Sequence, residues 1–143
     1  MKVAIGSDHA GFELKQKIID FLQKNSYEMK DFGTFTTESC DYNDVAIDVS
    51  QAVKDQLFDR GILICGTGIG MSMQANKVEG IRAALVHDLF SAKATRLHNN
   101  ANVLCMGGRI IGEEIAFAIT DIWLNTEFSN EDRHLRRVDK INR

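Results

Sequence analysis

The sequence predicts an α/β fold in which helices cover both faces of a parallel sheet. Two observations lead to this prediction. Short apolar runs, typical of strands buried on both faces, alternate along the chain with segments of helical periodicity. The helical segments reach the length of about ten residues or more that connects parallel strands in βαβ units. With 143 residues, 44% of them hydrophobic, the chain can form a core, and we predict a single domain over residues 1–143.

Five segments have the composition of strands. We predict them at residues 2–7, 27–32, 61–65, 81–87 and 101–106. The third is a purely apolar run with two isoleucines, which is the pattern of a central strand buried on both faces. The second mixes charged with apolar residues and is the weakest of the five.

Six segments have helical spacing. We predict helices at residues 11–24, 45–58, 69–76, 90–97, 112–124 and 129–143. In the second of them, Val45, Val49 and Val53 form an apolar stripe. The last is highly charged; Ser129 can cap it, and the acidic residues of its first turn suit the helix dipole. Three further residues are expected to fill the core: Met71, Met73 and Cys105.

Three glycines follow the central strand at alternate positions. They are Gly66, Gly68 and Gly70. A strand, a glycine-rich turn and a helix in succession offer backbone N–H groups to an anion. Cys65 is the last residue of that strand, and a helix N-terminus favours the thiolate form of a nearby cysteine. We therefore predict an anion cradle with a nucleophile or base at its entrance, against the alternative of an inert buried thiol.

Ligands in such folds bind beyond the carboxyl ends of the strands, which selects further places. These are Asp8-His9, His87-Asp88 and Gly107-Gly108-Arg109. Asp8 can also cap the first helix, a role compatible with binding. Asp88 follows the glycines by about 20 residues, where dinucleotide sites place a ribose-binding acid, so a nucleotide-binding module is an alternative. The glycine spacing is G-x-G-x-G, however, and the lysine of a P-loop is missing.

Composition argues against several classes of protein. The net charge of −3 and the pI near 5.8 argue against general binding to nucleic acid or membrane surfaces. Charged residues interrupt the N-terminus before the apolar segment of a signal peptide could form, and the uncharged run 61–76 is too short to span a membrane. No histidine or cysteine spacing predicts a metal site. The cysteines have no CxxC pairing, which indicates free thiols in a reducing cytoplasm: Cys40, Cys65 and Cys105.

Several short motifs, taken together and in order, resemble one family over essentially the whole chain. They are Gly6-Ser7-Asp8-His9-Ala10-Gly11, Asp41-Tyr42, the run 65–70, Arg96-Leu97-His98-Asn99 and Gly107-Gly108-Arg109. The sequence is similar to the sugar-phosphate isomerases, the family of ribose-5-phosphate isomerase B and the galactose-6-phosphate isomerase subunits of the lactose pathway. The resemblance implies a three-layer α/β/α Rossmann-like sandwich with a five-stranded parallel sheet and a C-terminal helix.

The resemblance also implies an aldose–ketose isomerisation without a cofactor. The expected substrate is D-ribose 5-phosphate, with a hexose 6-phosphate, allose or galactose 6-phosphate, as the alternative. Cys65 is the expected base that moves a proton between C2 and C1, and Thr67 would assist proton transfer between the enediolate oxygens. Backbone amides of the cradle would hold those oxygens: Gly66, Thr67, Gly68, Ile69 and Gly70. His98 would donate a proton to the ring oxygen when the furanose opens, and Asp8 would support ring opening or hold the sugar hydroxyls.

Substrate binding is implied for a second set of residues. Four basic residues would hold the phosphate: His9, Arg109, Arg133 and Arg137, with Arg136 as an alternative to either of the last two. Asn99 and Tyr42 would contact the sugar. The resemblance further implies a homodimer, with a tetramer as an alternative, whose active sites lie at the dimer interface and receive the partner's C-terminal helix. Met71 stands where a second subgroup has a glutamate, so the chain resembles the cysteine type.

Overall fold

Five strands form one parallel sheet: β1 (Lys2–Ser7), β2 (Glu28–Asp31), β3 (Arg60–Cys65), β4 (Ala83–Leu85) and β5 (Val103–Gly107). In the computed structural model, which describes residues 1–142, the strand order is β2-β1-β3-β5-β4, and every pairing is parallel. β3 is therefore the central strand, as its apolar sequence predicts.

Within the described residues, six helices cover the sheet: α1 (Phe12–Lys24), α2 (Tyr42–Lys54), α3 (Ile69–Ala75), α4 (Leu89–Leu97), α5 (Glu113–Asn125) and α6 (Asp132–Ile141). Successive side chains of a strand point to opposite faces, so β3 contributes Ile62 and Ile64 to one apolar cluster and Leu63 and Cys65 to another. The first cluster contains residues of α1, α4 and α5, and the second contains residues of α2 and α3. The predicted α/β sandwich with a five-stranded parallel sheet is confirmed.

Two helices, α2 and α6, differ from the prediction by more than one residue at an end. α2 covers Tyr42–Lys54 instead of 45–58, because Gln56 adopts a left-handed φ of 58° and the amides of Gln56 and Leu57 turn back to the carbonyls of the last helical turn. α6 begins at Asp132, with Glu131 at the N-cap position, so Ser129 does not cap it. The Ser129 hydroxyl instead lies 2.8 Å from His134 Nδ1.

Two of the three residues predicted to fill the core are buried there. Met71 and Cys105 are fully buried, each with an exposed fraction of 0%. Met73, in contrast, is 67% exposed, so its prediction as a core residue is wrong. It lies on α3, which has only seven residues and turns Met71 and Ala75 toward the sheet. Residues two positions from Met71 and Ala75 face away from the sheet, since side chains repeat at three and four residues along a helix.

Lys15 is a buried cation that joins three segments. Its Nζ donates to both carboxylate oxygens of Asp31, at 2.7 and 2.8 Å, and to the carbonyl of Thr34 at 2.6 Å, and its side chain is 0% exposed. The Thr34 amide donates in turn to the Ser7 carbonyl at 2.7 Å. Lys15 therefore holds α1 and β2 to the turn that adjoins the carboxyl end of β1.

Replacing Lys15 by methionine is expected to lower the free energy of unfolding by about 3 kcal/mol, since loss of one partner leaves the other charge of a buried pair uncompensated. Urea denaturation measures the change. Lys17→Met is the matched control on the same helix: Lys17 pairs with Glu113 at the surface, where both side chains are about half exposed, and such pairs contribute about 0–1 kcal/mol. Equal losses in the two variants would contradict the role of the buried pair.

Candidate active site

Strands β1, β3 and β5 end at the same edge of the sheet. The register pairs Ser7 with Ile64 and Cys65 with Gly107. From β1 the chain passes through α1 to β2 on one side, and from β3 it passes through α3 toward β4 on the other side. The connections that leave β1 and β3 therefore diverge, which opens a crevice at this carboxyl edge where ligands of open α/β sheets bind.

The glycine turn after β3 wraps around the Cys65 sulfur. The Gly68 amide donates to Cys65 Sγ at 3.1 Å, and Cys65 is 5% exposed. Gly68 has a left-handed φ of 76°, and a Cβ there would lie 2.8 Å from the Met106 carbonyl carbon, so the turn requires glycine. Gly70 packs against the Tyr42 ring, since a Cβ at Gly70 would lie 2.6 Å from Tyr42 Cζ. The structure thus brings Cys65, the cradle and Tyr42 together.

The loop after β5 closes the other side of the cradle. The Gly108 amide donates to the Cys65 carbonyl at 2.8 Å, and the Arg109 amide donates to the Gly66 carbonyl at 3.0 Å. The Arg109 guanidinium lies over Gly66, where an added Cβ would come within 3.2 Å of Nη1. A permanent positive charge therefore stands beside the backbone amides, as expected of a site for a phosphorylated substrate.

Asp8 and His9 form the third side, directly after β1. Asp8 Oδ1 accepts the amides of Ala10 and Gly11 at 2.9 and 3.0 Å, which orders the turn that precedes α1. The N-cap residue of α1 is Gly11, so Asp8 closes the turn rather than capping the helix itself. His9 Nδ1 accepts the Cys40 amide at 3.2 Å, so the neutral His9 ring carries its proton on Nε2.

The remaining predicted residues lie at the opposite, amino edge of the sheet. α4 follows the carboxyl end of β4 and precedes the amino end of β5, so it carries the chain from one edge to the other and ends at His98. β5 has five residues, which separates the edges by about 13 Å. His98 and Asn99 are therefore remote from Cys65 within one chain.

Helix α6 lies at this amino edge as well. The Ser129 amide donates to the Leu97 carbonyl at 3.1 Å, and the Arg82 guanidinium, just before β4, donates to Asn142 Oδ1 at 3.0 Å. The helix carries Arg133, whose Nε is 3.0 Å from Glu131 Oε2 at the surface, and Arg137. The predicted site residues thus fall into two groups, which we call the carboxyl-edge half (Asp8, His9, Tyr42, residues 65–70 and Arg109) and the amino-edge half (His98, Asn99, Arg133 and Arg137).

Sequence reasoning missed one residue of the amino-edge half. His134 is 5% exposed, and its ring packs on that of His98, with 4.6 Å between the ring centroids. A signal for it exists in the sequence: His134 and Val138 are four residues apart on a helix that is otherwise largely charged, and these two are its buried residues.

Asp88 has a structural role in this fold. Its Oδ1 accepts the Ser91 amide at 2.7 Å and caps α4, and this hydrogen bond lowers the pKa of the Asp88 carboxyl. The neighbouring His87 accepts the Gly107 amide through Nε2 at 2.9 Å, and burial lowers its pKa. One carboxylate oxygen of Asp88 is thus engaged by its own helix, which weakens the alternative of a ribose-binding acid.

Residues 1–142 contain neither a cluster of metal-binding side chains nor a membrane-spanning helix. No group of three or more histidine, cysteine, aspartate or glutamate side chains there is arranged to hold a metal ion. None of the helices in this part of the chain has the length and apolarity needed to cross a bilayer.

The fold and the carboxyl-edge half define a class: a Rossmann-like α/β/α protein with a thiol inside a glycine cradle at the switch point of the sheet. The chain belongs to the Ribose/Galactose Isomerase family, which it matches over residues 3–141. It is 48% identical to the ribose-5-P isomerase B of Listeria innocua, over 97% of this chain and 93% of the relative. It is 47% identical to a D-erythrulose-4-phosphate isomerase of Pectobacterium atrosepticum, over 90% of this chain and 85% of the relative.

Solved structures agree with this assignment. The ribose-5-phosphate isomerase B of Clostridium thermocellum superposes with a TM-score of 0.97 at 51% identity, covering 99% of this chain and 95% of the other. The Mycoplasma genitalium ribose-5-phosphate isomerase B, solved with bound ribulose-5-phosphate, superposes with a TM-score of 0.94 at 41% identity, covering 99% and 93%.

Proposed function

We propose that this protein interconverts D-ribose 5-phosphate and D-ribulose 5-phosphate without a cofactor, as a single 143-residue domain that works in the cytoplasm in the pentose phosphate pathway. The observation that carries the proposal is the cradle, in which the Cys65 sulfur accepts the Gly68 amide at 3.1 Å and shares a crevice with Arg109. Family membership and the ribulose-5-phosphate complex of the Mycoplasma relative support it.

The chemistry needs a base and a place for negative charge. The Cys65 thiolate removes the C2 proton of the open-chain aldose; the C–H electron pair forms the C1=C2 bond, and the carbonyl electrons move to O1. Preorganised amides hold this enediolate, and loss of one such donor costs about 3 kcal/mol in other enzymes. The protonated thiol then delivers its proton to C1, while Thr67 passes the O2 proton to O1, which yields the ketose.

Phosphate binding orients the reacting carbons. The substrate's phosphate is remote from C1 and C2, so its contacts lower the barrier by fixing the chain rather than by taking part in the proton transfer. On the carboxyl-edge half, Arg109 can bind the phosphate through its positive charge, and His9 can donate to it through Nε2–H. Arg133 and Arg137 belong to the amino-edge half, and their contribution depends on how two chains assemble.

A single chain carries half of the proposed site at each edge of its sheet, and a twofold dimer would join the halves. In such a dimer two copies of α4 pack antiparallel, so that the C-terminal end of each lies beside the N-terminal end of the other. The partner's His98 would thereby move from the amino edge of its own sheet to the carboxyl edge of the first chain, where Cys65 lies. We therefore propose a homodimer with shared sites, with pairing of dimers into tetramers as a further step.

An apolar surface around α4 supports this arrangement. Phe90 is 81% exposed, and Leu89 beside it is 42% exposed. The edge strand β4 exposes Leu85 by 40%. Helix α3, which packs on the other face of the sheet, exposes Ile69 and Met73 by 50% and 67%. A groove of about 480 Å³ runs along α4, lined by Leu89, Phe90, Lys93, Ala94, Leu97 and His98. In the antiparallel arrangement Phe90 of one copy would enter the groove of the other near Leu97, which removes both surfaces from water.

Replacing Phe90 by glutamate is expected to convert the dimer to monomers and to lower activity with it, because the carboxylate would lose its hydration in the apolar groove. Sedimentation velocity measures the assembly. Leu57→Glu is the matched control, since Leu57 is 63% exposed in the turn after α2, away from α4. A Phe90 variant that remains dimeric would exclude this face as the interface.

The proposed activity is tested by turnover of ribose 5-phosphate with purified protein, a chelator and no added cofactor, compared with allose 6-phosphate and galactose 6-phosphate. The expected result is the highest kcat/KM on ribose 5-phosphate; a higher value on either hexose phosphate would select the six-carbon alternative. Calorimetric titration with NAD and ATP separates the nucleotide-binding alternative. Tight nucleotide binding without a response to sugar phosphates would overturn the proposal.

A further inference from the structure

His134 lies between the two arginines predicted to bind phosphate, but its ring turns inward. The ring packs against that of His98 in a tilted arrangement, with centroids 4.6 Å apart and an angle of 39° between the planes. On its other side, Nδ1 is 2.8 Å from the Ser129 hydroxyl oxygen. The Ser129 amide donates to the carbonyl of Leu97, the residue before His98. The two histidines and Ser129 therefore form one contiguous cluster that joins α6 to the end of α4.

The surroundings of His134 disfavour a positive charge on its ring. Burial lowers the pKa of His134; the Glu131 carboxylate acts in the opposite direction, and the positive charges of His98, Arg133 and Arg137 lower it further. His134 thus stays neutral at pH values where an ordinary histidine begins to charge. These groups come from the end of α4 and from α6, the two elements that meet at this ring.

We propose that His134 is a positioning residue for ring opening, whose ring fixes the orientation of the His98 imidazole as the proton donor. The inference rests on the proposed function. In the step it serves, the His98 imidazolium gives a proton to the ring oxygen O4 while the C1–O4 bond breaks and leaves its electron pair on O4. The C1 hydroxyl loses its proton to a base, for which Asp8 is the expected residue, and the O–H electrons form the C1 carbonyl.

A charged His134 would work against this step, since two like charges a few ångströms apart disfavour each other's protonated forms. The His134 ring, in contact with that of His98, also limits the orientations that His98 can adopt. Both effects act on the acid that opens the ring and leave the isomerisation chemistry at Cys65 unchanged. Loss of a purely structural residue would impair both steps. Measuring ring opening and isomerisation separately therefore tests the positioning role.

The experiment compares a substrate that must be opened with probes that are already open. Ribose 5-phosphate closes to a furanose through O4, whereas erythrose 4-phosphate carries its phosphate on that oxygen and cannot close; ribitol 5-phosphate has no carbonyl and binds as an open chain. We expect His134→Asn to lower kcat/KM for ribose 5-phosphate by about 10- to 100-fold, within the range of a general acid. Its calorimetric Kd for ribitol 5-phosphate and its relative rate on erythrose 4-phosphate should stay near those of the wild type.

Two further variants sharpen the result. His134→Phe keeps a flat, neutral ring against His98 and should recover most of the loss. Ser129→Ala removes the hydroxyl that holds Nδ1 and should give a smaller loss on ribose 5-phosphate with unchanged ribitol 5-phosphate affinity, which keeps the inference testable if His134→Asn folds poorly.

Two results would overturn the inference: an unchanged kcat/KM for ribose 5-phosphate in both His134→Asn and Ser129→Ala, or an equal loss in ribitol 5-phosphate affinity. Failure of the proposed function itself is distinguishable, because it would appear as a wild-type protein without turnover of ribose 5-phosphate, before any variant is compared.

Discussion

Replacing Cys65 by alanine is expected to lower kcat/KM for ribose 5-phosphate by about 10³-fold or more, since a positioned general base contributes 10²–10⁴-fold. Cys65 is the residue whose side chain the cradle encloses, with the Gly68 amide donating to its sulfur at 3.1 Å. The fold should persist because alanine occupies the same buried strand end with one atom fewer. Steady-state kinetics measure the loss, and circular dichroism with calorimetric binding of ribitol 5-phosphate checks that fold and substrate site remain.

A second cysteine provides the matched control. Cys105 is 0% exposed on β5, paired in register with Leu63 on β3. Burial raises the pKa of its thiol, so Cys105 stays protonated and cannot act as a base. Cys105→Ala should therefore lower stability by about 1 kcal/mol with kcat unchanged. A well-folded Cys65→Ala protein whose rate stays within about tenfold of the wild type would remove Cys65 from the base role.

The parts of the molecule that sequence predicts best are those whose residues are neighbours along the chain. The cradle is one continuous segment, so its apolar strand, alternate glycines and terminal cysteine are visible before any tertiary contact is known. β1 follows the same logic and has the predicted bounds, Lys2–Ser7. The contact of Tyr42 with Gly70, by contrast, joins two segments 28 positions apart, and only the resemblance to a family points to Tyr42.

Most features that the sequence did not predict depend on where a helix ends relative to the sheet and on which of its faces is buried. His98 follows a predicted helix, but its distance from Cys65 depends on which edge of the sheet that helix ends at, and this follows from the order β3-β5-β4. Met73 looks like a core methionine because seven helical residues give too few turns to define a buried face. His134 is hidden for a related reason: its helix is so charged that two buried positions do not form an obvious stripe.

The division of the predicted site between two edges of the sheet leads to the most demanding test of the dimer. Cys65→Ala and His98→Asn proteins are each expected to have little activity on ribose 5-phosphate, since the first lacks the base and the second lacks the ring-opening acid. If each site combines Cys65 of one chain with the partner's His98, a mixed dimer of the two variants contains one site with both groups intact and one site with neither. Mixing two inactive proteins should then restore activity.

The expected recovery of activity follows from the fraction of intact sites in the mixture. Random exchange of subunits makes half of the dimers mixed, and half of the sites in those are intact, so an equimolar mixture should reach about one quarter of the wild-type activity per subunit. The variants are unfolded and refolded together, assayed on ribose 5-phosphate, and compared with each variant refolded alone. Because α4 places His98 about 13 Å or more from Cys65 in its own chain, complementation requires the shared site. A mixture no more active than its components would mean that both groups act within one chain, and the antiparallel α4 dimer would have to be abandoned.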